Sequence, residues 1–391
     1  MGAARSRAMS GAVVLHSGGP TPVINASLLG VVEEARRHAG ITALHGARHG
    51  IGGVLREDFV DLFSIDPKTL DSVARAPSSA LGTSRDEVRE EDLERIFSVL
   101  AKRAVRYLFY TGGNGSMSAA SRIERHAKDR GYELRVVGIP KTIDNDLAGT
   151  DHTPGYATAA RFFACAVRDI GADNRSLPGQ VEFIEVLGRN AGWLVAATAL
   201  ARHDPDDAPH LIYFPEARLT LEQLLDDVDR VYQRLGRCVA AVCEGQLDEN
   251  GQPFGADVRP SSGGTLAMNL AHRLAILVME KLKLRARSEK PGLLARSGAA
   301  YPCDLDWNEA RRCGQVAVRA AIEDASGVMI GLVREAGALY AVRTTLVPLE
   351  EAARQKLYPP EWRNAAGNDV RPEFVEYAAP LVGAIPRYAA L

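Results

Sequence analysis

A short stretch near residue 140 carries the side chains of this sequence that are best suited to chemistry. Residues 138–146 read Gly-Ile-Pro-Lys-Thr-Ile-Asp-Asn-Asp, and they follow an apolar run that is typical of a buried strand. In an extended chain alternate side chains point the same way, so Thr142, Asp144 and Asp146 would share one face. With the ammonium group of Lys141, they suit phosphoryl transfer, which depends on positioning and charge neutralisation. From spacing alone, a solvated acidic turn explains the stretch equally well.

Two glycine-rich turns upstream have the same setting, between an apolar strand and a helical pattern. Residues 17–22 (Ser-Gly-Gly-Pro-Thr-Pro) follow one apolar run, and residues 111–116 (Thr-Gly-Gly-Asn-Gly-Ser) follow another. A glycine-rich turn that opens a helix can bind phosphate on its backbone N–H groups, although it can equally be a tight structural turn. Neither turn matches the dinucleotide fingerprint or the P-loop. The three turns together indicate the carboxyl edge of a parallel sheet, where open α/β folds bind ligands.

The second half of the chain repeats this alternation of strands and helices. Three of its strand-like runs end near a charged residue, namely Arg189, Glu216 and Glu244. Helices are predicted over residues 156–170, 221–235, 264–282 and 306–324. A chain of 391 residues is long enough to form two such lobes.

The composition excludes several classes of partner. A net charge of −2 provides no basic surface for nucleic acid, and no run reaches the roughly 18 apolar residues of a membrane span. The first ten residues lack the apolar core of a signal peptide. The five cysteines form no close metal-ligand pair, and Cys238 and Cys243 are expected to be buried thiols in a reducing cytosol. We therefore expect a cytoplasmic protein with no nucleic-acid or membrane partner.

Six motifs in order make the chain resemble the phosphofructokinase A family. They are Gly-Gly-Pro-x-Pro (18–22), Gly-Gly-Asn-Gly-Ser (112–116), Pro-Lys-Thr-Ile-Asp-Asn-Asp (140–146), Leu-Gly-Arg-Asn-Ala-Gly (187–192), Cys-Glu-Gly (243–245) and Pro-Gly-Leu-Leu-Ala-Arg (291–296). The resemblance covers roughly residues 13–331, and its motifs look closest to the pyrophosphate-type and atypical branch. It implies an α/β fold of two similar lobes with mainly parallel sheets and an active site in the cleft between them.

We expect the two lobes to be discontinuous in sequence. Residues 11–150 would form a donor-binding lobe, completed by about residues 300–345. Residues 151–299 would form a sugar-phosphate-binding lobe, completed by the C-terminal residues 346–391.

The resemblance also implies roles for individual residues. Asp144 would be the general base that takes the proton from the 1-hydroxyl of the sugar, while Thr142 and Lys141 would lie near the transferred phosphoryl group. Asn114 and Asp146 would help to hold Mg²⁺. The residues implied for donor binding are Gly18, Arg85, Gly113, Asn114, Gly115 and Ser116. The residues implied for the sugar phosphate are Thr142, Asp144, Leu187, Gly188, Arg189, Glu244, Arg287 and Arg296.

Several positions depart from the family pattern. Asn114 stands where most members carry an aspartate, Gln180 where many place an arginine from a neighbouring subunit, and Leu293 where a polar sugar contact is usual. These departures leave the exact sugar phosphate open. Arg287 matches a position that members borrow from a neighbour, so a homodimer or homotetramer is expected. Without the motif context, Arg287 and Arg296 would be interpreted as exposed solubilising charge.

Two opposed signals bear on the phosphoryl donor. Gly115 stands where pyrophosphate-using members carry aspartate, and a glycine leaves room for the α-phosphate of a nucleotide. Lys141 and Ala119, in contrast, are more typical of pyrophosphate users. The resemblance implies Mg²⁺-dependent conversion of fructose 6-phosphate to fructose 1,6-bisphosphate, and these residues favour ATP as the donor, with pyrophosphate as the alternative.

Two alternatives from other classes remain. The departures at Asn114, Gln180 and Leu293 would also suit an inactive sensor of sugar phosphates or nucleotides. The parallel sheet would allow a nicotinamide-dependent dehydrogenase, but the G-x-G-x-x-G fingerprint is missing.

Overall fold

The computed structural model describes residues 10–254, 269–298, 301–337 and 339–389. The chain divides into two compact units that are both discontinuous in sequence. The described residues of the first unit are 10–142, 146–155, 304–337 and 339–355, and those of the second are 143–145, 156–254, 269–298, 301–303 and 356–389. Residues 143–145 of the central motif therefore belong to the second unit, whereas the residues before and after them belong to the first.

Residues 10–140 supply most of the first unit. Their strands and helices are β1 (Ser10–His16), α1 (Ile24–Ala35), β2 (Ile41–Ala47), α2 (Ile51–Arg56), β3 (Phe59–Asp61), α3 (Pro67–Arg75), α4 (Glu90–Lys102), β4 (Val105–Gly112), α5 (Asn114–Asp129) and β5 (Arg135–Pro140).

Residues 156–298 supply most of the second unit. Their described elements are α6 (Tyr156–Ser176), β6 (Gln180–Val186), α7 (Trp193–Ala197), a 3₁₀ helix (Thr198–Ala201), β7 (Leu211–Tyr213), α8 (Leu221–Leu235), β8 (Cys238–Cys243), α9 (Leu270–Leu282), β9 (Arg285–Glu289) and α10 (Leu294–Ser297). The helix predicted over residues 264–282 is described from Leu270, and residues 264–268 lie outside the described part.

The remaining chain returns first to one unit and then to the other. The elements that rejoin the first unit are α11 (Asp304–Ile322), β10 (Val328–Arg334), β11 (Val342–Pro348) and α12 (Leu349–Ala352). Those that rejoin the second are a 3₁₀ helix (Pro360–Trp362) and α13 (Pro372–Val382).

Each unit is built on a mainly parallel sheet. The order in the first unit is β11-β10-β5-β4-β1-β2-β3, where only the edge strands β3 and β11 pair antiparallel with their neighbours. The order in the second unit is β7-β8-β6-β9, and all its described pairs are parallel. Strands β6 and β8 are buried along their whole length, as expected for parallel strands covered on both faces. The predicted α/β fold with mainly parallel sheets is confirmed.

Three stretches lie in the other unit from the one predicted, and residues 143–145 are the first of them. Residues 346–355 belong to the first unit because β11 pairs with β10 from Val328 opposite Pro348 to Arg334 opposite Val342. Residues 151–155 also belong to it, since the Asp151 N–H donates to the Leu332 carbonyl of β10 at 2.8 Å. The sequence did not reveal this hairpin, because its outer strand is only partly buried and lacks an apolar run.

The described part of the chain contains no helix that is both long and apolar enough to cross a membrane. All five cysteines are buried and free of disulfide bonds, as expected for Cys238 and Cys243.

Helices α1 and α11 cross at two glycines. A Cβ atom added to Gly30 would lie 2.0 Å from the Arg311 carbonyl oxygen, and one added to Gly314 would lie 2.1 Å from the Ser27 carbonyl oxygen. No real Cβ approaches a backbone oxygen that closely, so the two backbones can touch only because both side chains are missing. This contact fixes the returning segment of the chain to the first helix of the first unit.

We expect Gly30→Ala to lower the free energy of unfolding by about 1–3 kcal/mol, the usual cost of overpacking a tight contact. The loss should appear although alanine favours a helix intrinsically. Gly40→Ala is the matched control, because a Cβ there meets nothing within 4 Å. Thermal unfolding of the three proteins checks this, and equal midpoints for Gly30→Ala and the wild type would disprove the tight crossing.

Candidate functional site

The three polar turns found in the sequence lie side by side at one edge of the first sheet. Strands β1, β4 and β5 are neighbours, with His16 opposite Thr111 and Gly112 opposite Pro140. The turns continue this pairing, because the Lys141 N–H donates to the Gly112 carbonyl at 3.1 Å. The shared edge expected from the sequence is therefore confirmed.

Lys141 links the central motif to the first glycine-rich turn. Its side chain is buried, and its Nζ donates to the Gly19 carbonyl at 2.7 Å. Gly18 has a φ of 78°, and a Cβ on it would lie 3.2 Å from this Nζ. Burial lowers the pKa of His16 to about 3, and the positive charge of Lys141 contributes to the shift. A neutral imidazole and a buried ammonium group therefore lie at this turn.

The loop before Arg85 is fastened to the same turn. The Gly18 N–H donates to the Ser84 carbonyl at 2.8 Å, and the Thr83 hydroxyl donates to the Gly18 carbonyl at 2.7 Å. Arg85 follows directly and is exposed. The structure thus brings together Gly18 and Arg85, two of the residues that the resemblance implies for donor binding.

The second glycine-rich turn forms the beginning of α5. Gly113 is its N-cap, and Asn114, Gly115 and Ser116 form its first turn. Gly112 must be a glycine, because a Cβ there would lie 2.0 Å from the buried Ser116 Oγ. Gly115 is different: it is exposed, and a Cβ on it meets nothing within 4 Å. The positive end of a helix dipole favours anions at this place.

Asn114 holds the chain that follows the central motif. Its Nδ2 donates to the Asp146 carbonyl at 3.0 Å and to the Arg354 carbonyl at 2.8 Å. The Ala148 N–H also donates to the Arg354 carbonyl, at 3.2 Å. An aspartate has no N–H to donate, so it could not make either bond. The departure from the family pattern at residue 114 therefore serves a local structural purpose.

The segment after Pro140 is not a regular strand. Thr142, Asp144 and Asp146 are all partly exposed, whereas Ile143 and Asn145 between them are buried, so the predicted alternation is kept in the burial of these side chains. The chain bends at residues 143 and 144, and Asn145 has a φ of 56°. The left-handed region is one that asparagine adopts more readily than most residues.

In the second unit, the turns after β6 and β8 pack on each other. Val186 lies opposite Cys243 in the sheet, and the Cys243 Sγ donates to the Gly188 carbonyl at 2.7 Å. A Cβ on Gly245 would lie 1.6 Å from the Arg189 carbonyl oxygen. This close approach brings Leu187, Gly188 and Arg189 next to Glu244, as the sequence implied.

Charge interactions connect Asp144 to the same part of the second unit. Burial raises the pKa of the Cys243 thiol, and the negative charges of Glu244, Glu216 and Asp144 raise it further. Burial and the Glu185 charge raise the pKa of Glu244, whereas the positive charges of Arg189 and Lys290 oppose the shift. Asp144 is therefore close enough to Cys243, the last residue of β8, for its charge to act on this thiol.

The sequence patterns did not indicate the ion pair between Lys290 and Glu185. Lys290 follows β9 directly, and its Nζ lies 2.6 Å from the Glu185 Oε1. The Ala271 N–H donates to the other oxygen of Glu185 at 3.1 Å. A carboxylate in a fully buried strand needs a cation beside it, so Glu185 alone indicated that a positively charged residue lies nearby. Its partner was hidden because β9 is a short, largely exposed strand that the pattern did not predict.

Arg287 and Arg296 do not lie in a turn that follows a strand, because Arg287 is part of β9 and Arg296 is part of α10. Arg287 is exposed in the middle of β9, opposite Glu182. Burial and the Glu289 charge raise the pKa of Glu182 to about 7, against the effect of Arg287. Arg296 is half-buried on α10, which packs against α6. Gln180 is buried in its own unit, with only 1% of its surface exposed.

The residues present fit a magnesium ion only if the donor completes its coordination. Among the described residues, no group of three or more His, Cys, Asp or Glu side chains could hold a metal ion. Asn114 uses Nδ2 for the two carbonyls, so its Oδ1 is the atom of this side chain that can bind a cation. One or two protein oxygens together with substrate phosphates are the usual environment of Mg²⁺.

Comparison with known proteins agrees with this arrangement. The family model described as Phosphofructokinase matches residues 11–321. The pyrophosphate–fructose 6-phosphate 1-phosphotransferase of Rhodospirillum rubrum is 38% identical over 381 residues, which cover 95% of this chain and 94% of the relative. The enzyme of the same name from Xanthomonas campestris pv. campestris is 35% identical, covering 94% and 90%. The crystal structure of the pyrophosphate-dependent phosphofructokinase from Nitrosospira multiformis superimposes with a TM-score of 0.89 at 30% identity, covering 98% and 94%. The chain therefore belongs to the phosphofructokinase family, and it is a phosphotransferase with an alcohol group as acceptor.

Proposed function

We propose that the protein transfers a phosphoryl group from pyrophosphate to the 1-hydroxyl of fructose 6-phosphate, giving fructose 1,6-bisphosphate and orthophosphate. The observation that supports this most is the buried Lys141 ammonium at the Gly18–Gly19 turn. It supplies a fixed positive charge where a small, highly charged donor would lie. Relatives that align over nearly the whole chain carry this activity in their names.

ATP, the donor expected from the sequence, is the less well supported candidate. That expectation gave most weight to Gly115, and the comparisons favour the pyrophosphate alternative instead. One observation keeps ATP as a second candidate: Gly115 is exposed, and a Cβ added to it would meet no atom within 4 Å. The missing carboxylate at position 115 does not exclude pyrophosphate, because an open space admits a small donor as well as a large one.

Asp144 acts as the general base in this proposal. It accepts the proton of the 1-hydroxyl as the sugar oxygen forms its bond to phosphorus, and the bond between that phosphorus and the bridging oxygen of pyrophosphate breaks. Thr142 donates a hydrogen bond to the transferred group. Lys141, Arg85 and the first turn of α5 neutralise and orient the donor phosphates.

Mg²⁺ would be held by Asn114 Oδ1 and Asp146. When bound, it neutralises charge on the phosphates.

Arg189 and Glu244 bind the sugar phosphate in this proposal. The guanidinium group pairs with the 6-phosphate, while Glu244 accepts hydrogen bonds from sugar hydroxyls. Arg296 adds a second cation. Arg287, which is exposed, would reach the site of a neighbouring copy in a homodimer or homotetramer.

We expect Asp144→Asn to lower kcat by ~10²–10⁴-fold while the KM for fructose 6-phosphate changes only a few-fold, because the amide keeps the shape but cannot accept the proton. Asp226→Asn is the control, since Asp226 is an exposed carboxylate on α8. Steady-state kinetics of both variants check this. An Asp144→Asn enzyme with near wild-type turnover would exclude Asp144 as the base.

The donor is tested by measuring kcat/KM for pyrophosphate and ATP side by side. We expect a higher value for pyrophosphate. Gly115→Asp should abolish any use of ATP, because a carboxylate there repels an α-phosphate, and should leave pyrophosphate turnover within a few-fold. Ser118→Asp is the matched control, because it adds the same charge at an exposed position of the same helix. A ratio that strongly favours ATP in the wild type would reverse the donor assignment.

A further inference from the structure

The side chain at the bend of the central motif is held by residues near the C-terminus. Asn145 is fully buried, and it stands between Asp144 and Asp146 in the left-handed conformation. Its Nδ2 donates to the Tyr377 hydroxyl at 3.0 Å, and the Lys356 Nζ donates to its Oδ1 at 3.5 Å. Both ends of the amide are thus bound by residues beyond 355.

Tyr377 is itself held rigidly. It lies on α13, with its ring centroid 5.1 Å from that of Trp362, 5.7 Å from that of Trp193 and 6.2 Å from that of Phe374. A phenol packed among three aromatic rings has little rotational freedom. Its hydroxyl oxygen is therefore a fixed acceptor for Asn145.

Lys356 connects the same segment to the turn after β6. Its Nζ lies 4.8 Å from the centroid of the Trp193 ring, and the Trp193 Nε1 donates to the Lys356 carbonyl at 3.1 Å. Glu216 Oε1 accepts from the N–H groups of Gly192 and Tyr358, at 2.9 and 3.0 Å. Residues 356–377 thus bind both the turn that carries Arg189 and the bend that carries Asp144.

The geometry points to Tyr377 as a positioning residue for phosphoryl transfer, acting through Asn145 on the direction of the Asp144 carboxylate. This inference rests on the proposed role of Asp144 as the base. Tyr377 lies outside residues 11–321, which the family model matches, so family membership does not assign it this role. A base must lie within hydrogen-bond reach of the proton that it removes, and a displacement of about 1 Å can lower a rate by ~10²-fold.

The test replaces Tyr377 with Phe, which removes the hydroxyl and keeps the ring. We expect kcat to fall ~10–100-fold, with the KM values for sugar phosphate and donor within about threefold of the wild type. Tyr358→Phe is the matched control. Its hydroxyl donates to the Trp362 carbonyl at 3.1 Å in the same aromatic cluster and does not bind the bend, so its kcat should be unchanged.

Hydrogen–deuterium exchange supplies a readout that does not depend on turnover. Tyr377→Phe should increase exchange in peptides that span residues 142–147, and Tyr358→Phe should not. Unchanged exchange there in Tyr377→Phe, or loss of kcat accompanied by increased exchange throughout α13, would overturn the inference. A wild-type protein that turns over neither donor would overturn the proposed function instead, and the exchange result would still decide whether Tyr377 holds the bend.

Discussion

The parallel pairing of β1, β4 and β5 is the constraint on which the position of the three polar turns depends. Parallel strands that lie next to one another end at the same edge, so the pairing alone brings three turns far apart in sequence next to one another. Lys141 can then reach the Gly19 carbonyl across 122 positions of sequence. The glycine at 18 follows from the same pairing, because a Cβ there would lie 3.2 Å from the Lys141 Nζ of a neighbouring turn.

The parts of the structure that could be predicted from the sequence are those built from regular elements. The turns after β1, β4 and β5 were predictable because each follows a long buried strand and opens a helix or the central motif. The bend at Ile143 was not, since it depends on burial of Asn145 by residues more than 200 positions away. Lys290 was missed for the opposite reason: its strand, β9, is too short and exposed to produce an apolar pattern.

The departure at Asn114 shows how one substitution can change two properties. Replacing an aspartate removes a negative charge from the place where a metal would lie, and it adds an N–H donor that binds two backbone carbonyls. Only the lost charge could be predicted from the sequence. The gained donor was invisible there because its acceptors belong to residues 146 and 354, which no local pattern connects.

The discontinuity of the two units has a consequence for how the chain acquires its structure. The backbone passes from one unit to the other at five points, after residues 142, 145, 155, 303 and 355. Neither unit can therefore be complete on a ribosome until nearly the whole polypeptide has emerged, and the bend at Asn145 must wait for Tyr377, 232 positions later. Contacts of such long range make folding slow. A nascent chain of this protein therefore exposes unpartnered strands for longer than a chain with two consecutive domains would, and it depends more on protection from aggregation during synthesis.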